Sequence, residues 1–293
     1  MTQGPPDIEH LRSVSPGREA LGVFFRNKGA VLGLLLLVLV IALTALGPML
    51  YPVDAFEMVG APFQAPGVDL ASPLGTDHVG RSVLAGLVNG SRATLAVGLA
   101  AACLAILIGV VVGALAGFYG GLIDEILMRV TEFFQVLPAL ILAMVLVSLF
   151  SPTLTTITFA IAFVSWPITA RLTRAEFLKL RQLDFVKSAR AIASSDSYLI
   201  WRVILPNALP PIIVAATLVV GAAILFEAGL SFLGLGDPNI MSWGLMIGAG
   251  RPYVLDAWWI VAFPGLAIFI TVLGISLIGD GLNDAFNPKF RDR

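Results

Sequence analysis

Charge is scarce in this 293-residue chain: Asp, Glu, Lys and Arg make up 13% of it, half of the roughly 25% usual in a soluble globular domain. The formal net charge of −1 leaves no basic surface for nucleic acid. A single cysteine, Cys103, sits in the apolar run AAACLAILIG, which excludes a disulfide or a Cys-based metal site. It reads as a small core or lipid-facing residue. The two histidines, His10 and His78, both lie outside the apolar runs and far apart, so they build neither a metal site nor a catalytic dyad. No G-x-x-x-x-G-K-[ST] loop is present, so nothing cradles a nucleotide phosphate. Ser91 beside Arg92, and Ser194-Ser195, have no base nearby and read as polar surface serines.

What is abundant is apolar: 58% of the residues are hydrophobic. The solvent for most of the chain is therefore hydrocarbon. Six apolar runs stand out, at 29–50, 94–117, 134–150, 153–170, 210–232 and 257–278. The first has no charge and, as a helix of about 33 Å, crosses a core of about 30 Å. It is too long for the apolar part of a signal peptide and reads as an uncleaved helix. Ser151-Pro152 reads as a tight turn between the third and fourth runs. Trp258 and Trp259 open the sixth as interfacial anchors. Pro138 and Pro167 are expected to kink the third and fourth spans. The fold class expected is an all-α polytopic membrane protein with six transmembrane helices.

Basic residues set the direction. Of the 18 Lys and Arg, only Arg81, Arg92 and Arg251 fall on one side of the six spans. The positive-inside bias places both termini in the cytoplasm and the segment 51–92 outside. The chain then divides into a cytoplasmic tail 1–28, a first helix 29–50, an extracytoplasmic segment 51–92, a five-helix domain 93–282 and a cytoplasmic tail 283–293. The outer segment is punctuated by Pro and Gly and is expected to fold as a cap on the pore or on a partner. Glu227 is the main charge within a span, near the outer end of the fifth, with Ser231 one turn on. Such a group is a candidate for the transport path; the alternative is a carboxylate bonded to backbone amides where the helix gives way to a Gly-rich turn. The other spans carry no central ionisable group, which argues against a proton relay.

One cytoplasmic loop, 171–206, holds seven basic and three acidic residues. The stretch 170–183 reads as the fourth span continued into the cytosol. Phe185, Val186, Ala189 and Ile192 recur at helical spacing. A turn at 193–196 follows, with Ser or Asp as N-cap, and then a second short helix over 196–205 stopped by Pro206. On physics alone this is either a rigid two-helix knob or an amphipathic loop attracted to anionic lipid.

This loop resembles the EAA loop of binding-protein-dependent ABC importer permeases, whose pattern is Glu-Ala-Ala, three residues, Gly, nine residues, Ile-x-Leu-Pro. Lys187-Ser188-Ala189 stands at Glu-Ala-Ala, Ala193 at the Gly, and Val203-Ile204-Leu205-Pro206 closes it. The outer stretch LGTDHVGRSVLAGLVNGSRATLAVG, with Gly75, Thr76, Asp77, Gly80, Arg81 and Arg92, is similar to a signature of the oligopeptide/dipeptide (and nickel) branch, of the second-subunit DppC/OppC type. So are EAGLSFLGLGDPNIMSWG and the tail GDGLNDAFNPKFR.

The resemblance implies a type I ABC importer fold in the bacterial inner membrane. It implies a related second permease subunit, two ATP-binding subunits that use ATP and Mg, and an extracytoplasmic substrate-binding protein, with no cofactor bound by this chain itself. The coupling corner would comprise Lys187, Ser188, Ala189, Ala193, Ser194, Ser195, Asp196, Ser197, Tyr198, Leu205 and Pro206. Small peptides are the expected cargo, with nickel or another small solute as the alternative. A self-powered six-helix carrier is the competing class and would need midplane charges or paired broken helices. A scaffold or intramembrane enzyme would need a catalytic dyad within the spans.

Overall fold

The computed structural model describes residues 16–192 and 194–286. Its elements are helical: α1 Pro16–Arg26, α2 Lys28–Leu50, α3 Val83–Tyr119, α4 Gly121–Val136, α5 Ala139–Leu149, α6 Leu154–Leu180 and α7 Asp184–Ala191. After a corner come α8 Asp196–Tyr198, a π-helical turn Leu199–Ile204, α9 Leu205–Leu230 and a second π turn Ser231–Leu235. The last are α10 Trp243–Gly250, a 3-10 turn Arg251–Tyr253, and α11 Trp259–Phe286.

Five of these segments are long and apolar enough to cross a membrane, counting Asp196–Leu235 as one. The sixth expected span is not one helix. Its run is split between α4 and α5, which meet at 86° around Leu137 and Pro138. Pro138 lacks an N–H and holds the residue before it extended (Leu137 φ −82, ψ 134), so the helix ends rather than kinks. Pro167, by contrast, lies inside an uninterrupted α6.

Caps set the helix starts. Asn27 accepts from the Ala30 N–H at 3.1 Å at the head of α2 and donates to Asp284 on α11 at 2.8 Å. Ser82 accepts from the Ala85 N–H at 3.3 Å. That cap starts α3 at Val83, so the last ten residues of the segment expected over 51–92 are helical. Ser91 is therefore not a surface serine: it is buried in α3 and donates to the Val88 carbonyl at 2.6 Å.

The core is built on α3 against α6, the most extensive helix pair. Gly109, Gly113 and Gly117 form a stripe along α3 at four-residue spacing. A Cβ at Gly113 would lie 2.3 Å from the Ala170 carbonyl, and one at Gly117 would lie 2.6 Å from the Phe177 Cβ. Small residues let two backbones approach where lipid gives helices no hydrophobic reason to associate. Gly33 on α2 and Gly274 on α11 make a second close crossing. Cys103 is exposed on α3 and is not a core residue of this chain.

Candidate functional site

At one end of the bundle the loop after α6 forms a compact knob. Val186 of α7 and Leu199, Ile200 and Ile204 of the π turn are buried against Val110, Ala114 and Phe118 of α3 and Phe177 of α6. Arg181 donates from Nη1 to the carbonyls of Gly117 (3.0 Å) and Phe118 (3.2 Å), satisfying acceptors left open at the C-terminal end of α3. The Arg190 guanidinium lies 5.3 Å above the Phe118 ring. Asp124 at the start of α4 receives Arg174 of α6 through two bonds of 2.5 and 2.6 Å. The knob is thus fixed to α3 and α6 by a small core and by Arg181, while the Arg174–Asp124 pair ties α6 to α4.

Its corner is exposed. Ser195 Oγ accepts from the Tyr198 N–H at 3.3 Å and caps α8, one of the two expected cap residues. Asp196, Ser197 and Tyr198 are exposed, and Ile192 before them is 79% exposed. Lys187 reaches Asp184 one turn back at 3.3 Å, an open pair of little energetic worth. Ser188 is exposed and Ala189 half-buried on the same helix. Ala193 lies outside the described residues.

The second helix is not stopped by Pro206. The chain stays helical from Asp196 through Leu230 because the ladder widens first: the Leu205 N–H bonds to the Ile200 carbonyl, five residues back. A wide turn makes room for the ring and absorbs its missing donor. Leu205 and Pro206 thus begin α9 rather than end a helix, and Asn207 donates to the Val203 carbonyl at 2.7 Å.

At the other end, residues 51–82 make an ordered cap, and the motif residues hold it together. Gly75 and Gly80 have φ of +79° and +88°, and a Cβ at Gly80 would lie 2.2 Å from the Gly60 carbonyl. Only glycine fits a left-handed turn against a backbone so close. Buried Thr76 donates to the Ala61 carbonyl (2.7 Å) and accepts from the Gln64 N–H (2.9 Å). Asp77 Oδ1 accepts from the N–H groups of Val79 (2.9 Å) and Arg81 (2.8 Å). The Arg81 guanidinium sits 5.1 Å above the Phe56 ring. His78 stacks on Tyr253 with centroids 5.1 Å apart.

Trp259 is buried and donates to the Thr76 carbonyl at 3.0 Å. It ties cap to bundle and is not an interfacial anchor, whereas Trp258 is 56% exposed. Arg92 lies outside the cap, on α3, donating to the Thr44 carbonyl of α2 at 3.2 Å.

Beneath the cap, Glu227 is fully buried. Its Oε1 accepts from Ser231 Oγ at 2.8 Å, and the Thr94 and Ser242 hydroxyls face the same carboxyl. Thr94 Oγ1 accepts the Trp243 N–H at 3.1 Å, and Trp243 Nε1 donates to the Leu87 carbonyl at 2.9 Å. Side-chain hydroxyls, not the expected backbone amides, surround the carboxyl. The carboxyl lies where α3, α9 and α10 meet, and its Oε2 has no hydrogen-bond partner among the described residues. Glu227→Ala removes an acceptor and opens a cavity, with an expected cost of about 2–4 kcal/mol. Glu227→Gln, which keeps volume and an acceptor, should cost less. Thermal unfolding in detergent checks the order wild type, Gln, Ala. Unchanged stability with an altered uptake KM would instead mark a substrate contact.

Residues 109–292 match the family of binding-protein-dependent transport system inner membrane components, and residues 15–73 match the N-terminal transmembrane domain of oligopeptide transport permease C. The chain belongs to that inner membrane component family. This permease is 37% identical to the di/tripeptide transport system permease protein DppC of Pseudomonas aeruginosa, over all of its own length and 98% of the relative's. It is 37% identical to the dipeptide transport system permease protein DppC of Alkalihalophilus pseudofirmus, over 98% of its own length and 94% of the relative's. A glutathione transport system permease protein, GsiD of Pectobacterium atrosepticum, is 36% identical over 98% and 95%. Among solved structures, a chain of the inward-facing MetNI methionine ABC transporter superposes with a TM-score of 0.58 at 20% identity, covering 69% of this chain and 97% of that one. That likeness speaks for the fold.

The permease is a multi-pass inner membrane transport component of an ABC system and not a catalyst. The knob residues come together at one end, and the cap residues Gly75 to Arg81 at the other. Sequence reasoning missed Trp259 as the cap's tether and Trp243 as the tie from α10 to α3. A Trp beside its helix start looks the same whether it faces lipid or a carbonyl. The glycine spacing over 109–117 was the one readable signal of the α3–α6 crossing.

Proposed function

We propose that the permease forms half of the path by which small peptides cross the inner membrane, paired with a related second membrane subunit. The single observation carrying the peptide assignment is the end-to-end match to di/tripeptide and dipeptide permeases. Both termini and the knob face the cytoplasm, supported by the bias in which only Arg81, Arg92 and Arg251 of the 18 basic residues lie on the outer side. The domain layout follows that orientation: tail 1–28, first helix 29–50, outer segment 51–92, transmembrane domain 93–282 and tail 283–293, with α3 beginning inside the outer segment at Val83.

Two ATP-binding subunits, which use ATP and Mg, engage the corner at the exposed Ile192 and Ser195–Tyr198. A substrate-binding protein delivers peptide at the cap, and lipid surrounds the apolar exterior. The helical stretch Asp196–Leu230, about 50 Å long, carries a push at the corner to Glu227 beneath the cap. Two conformations then differ in how the ATPase contacts the corner, which a driven change requires.

Proteoliposomes containing this permease, its second subunit and the ATPases should accumulate radiolabelled alanyl-alanine only with ATP and binding protein. Accumulation by the permease alone would establish the self-powered class instead. Accumulation of Ni²⁺ with no peptide uptake would assign the other cargo.

A further inference from the structure

We propose that the elbow between α4 and α5, residues 136–141, lines the aqueous path through the membrane near mid-depth; this rests on the permease reading above. The elbow falls inside an apolar run, yet it is irregular backbone. α4 ends at Val136 and α5 begins at Ala139, neither with a side-chain cap, and Pro138 contributes no N–H. The last carbonyls of one helix and the first N–H groups of the next therefore gather there without partners from their own helices.

Depth follows from the flanking helices. α5 has 11 residues, about 16 Å, which descends roughly half of a 30 Å core from the turn that leads into α6. Independently, the Phe134 ring packs edge-on against Phe163 at 4.9 Å and Trp166 at 5.4 Å, and both lie near the middle of α6. The same residues are uncovered: Val136 is 79% exposed, Leu137 43% and Ile141 57%.

Hydrocarbon offers no hydrogen bonds, so irregular backbone at this depth persists only against protein or in a water-filled cavity. The polar surface continues from the elbow toward the knob end, where exposed Arg171 donates to the Gln135 side-chain carbonyl at 3.0 Å. Arg171 opens the loop read as cytoplasmic, so its bond to Gln135 carries a hydrated surface from the cytosolic side to the edge of the break. Water reaching the elbow from that side is the occupant that supplies partners to its irregular backbone.

The single native cysteine makes the test clean. In the assembled transporter with C103A as parent, L137C and I141C are treated with a charged, membrane-impermeant methanethiosulfonate. L39C and L107C, on the exposed faces of α2 and α3, serve as lipid controls. Thiolate forms in water and not in hydrocarbon, so modification at the elbow should be at least about tenfold faster than at the controls. Rates equal to the controls overturn the proposal. So does protection that is accompanied by short-range cross-linking to the second permease subunit, which would make the elbow a subunit interface. Two positions keep the test decisive if one variant fails to assemble. ATP-driven alanyl-alanine uptake on the same samples separates the two levels. Normal uptake with unreactive elbow cysteines discards only the elbow, whereas no uptake by the assembled C103A parent counts against the peptide permease reading itself.

Discussion

Gly113→Ala should lower the unfolding temperature sharply, while Gly265→Ala should leave it unchanged or raise it. Both positions are in helices, where Ala is favoured over Gly by about 1 kcal/mol. They differ in what the new methyl meets. At Gly265 nothing lies within 4 Å, whereas at Gly113 the Cβ would fall 2.3 Å from the Ala170 carbonyl, 2.7 Å from the Thr173 Cβ and 3.0 Å from the Arg174 nitrogen. Two of those three atoms are backbone and cannot rotate away, so α3 and α6 must separate along their length. Overpacking of a core costs about 1–3 kcal/mol, and here the strained pair is the central crossing of the bundle. A net loss of about 2 kcal/mol is expected for Ala and more than about 3 for Val. Unfolding midpoints in one detergent, with Gly265→Ala as the matched control, check this. Equal midpoints for the two Ala variants would mean that the close crossing is not what holds the bundle.

That crossing also marks the limit of what the residues alone disclose. Five continuous spans, the start of the first to within one residue of Lys28, and the exposed corner near Ser195 were legible, because hydropathy and turn chemistry are local. Partner choice is not local. The spacing of Gly109, Gly113 and Gly117 announces a close neighbour without saying that it is α6. Trp258 and Trp259 are adjacent and chemically identical, yet one is exposed and the other donates to Thr76, a distinction set by the folded cap. Prolines were the least transparent signals. Pro138 breaks a span, Pro167 sits within one, and Pro206 opens a helix it was expected to end. In each case the outcome depends on whether the neighbouring turn can widen or must give way, and the ring itself does not decide it.

Ser195→Trp should uncouple ATP hydrolysis from peptide uptake while the permease stays folded in the membrane. The residue stands at the exposed corner between α7 and α8, away from the buried core of Val186, Leu199, Ile200 and Ile204 that anchors the knob. Trp there adds bulk where the proposed ATPase surface must close, and a steric mismatch of only 1.4 kcal/mol lowers docking about tenfold. The substitution also removes the cap on the Tyr198 N–H, at a cost of about 1 kcal/mol. Ser195→Ala isolates that loss: it lacks the cap but not the space. Uptake should therefore fall at least about tenfold for Trp, as docking does, and far less for Ala, with both variants recovered from the membrane in wild-type amounts. Ala193→Trp, two residues earlier, provides a second probe of the same corner. Proteoliposome uptake and phosphate release measured together give the coupling ratio directly. Undiminished uptake by Ser195→Trp would remove the corner from the coupling path, and equal losses for Trp and Ala would assign the effect to the helix cap instead of the docking surface.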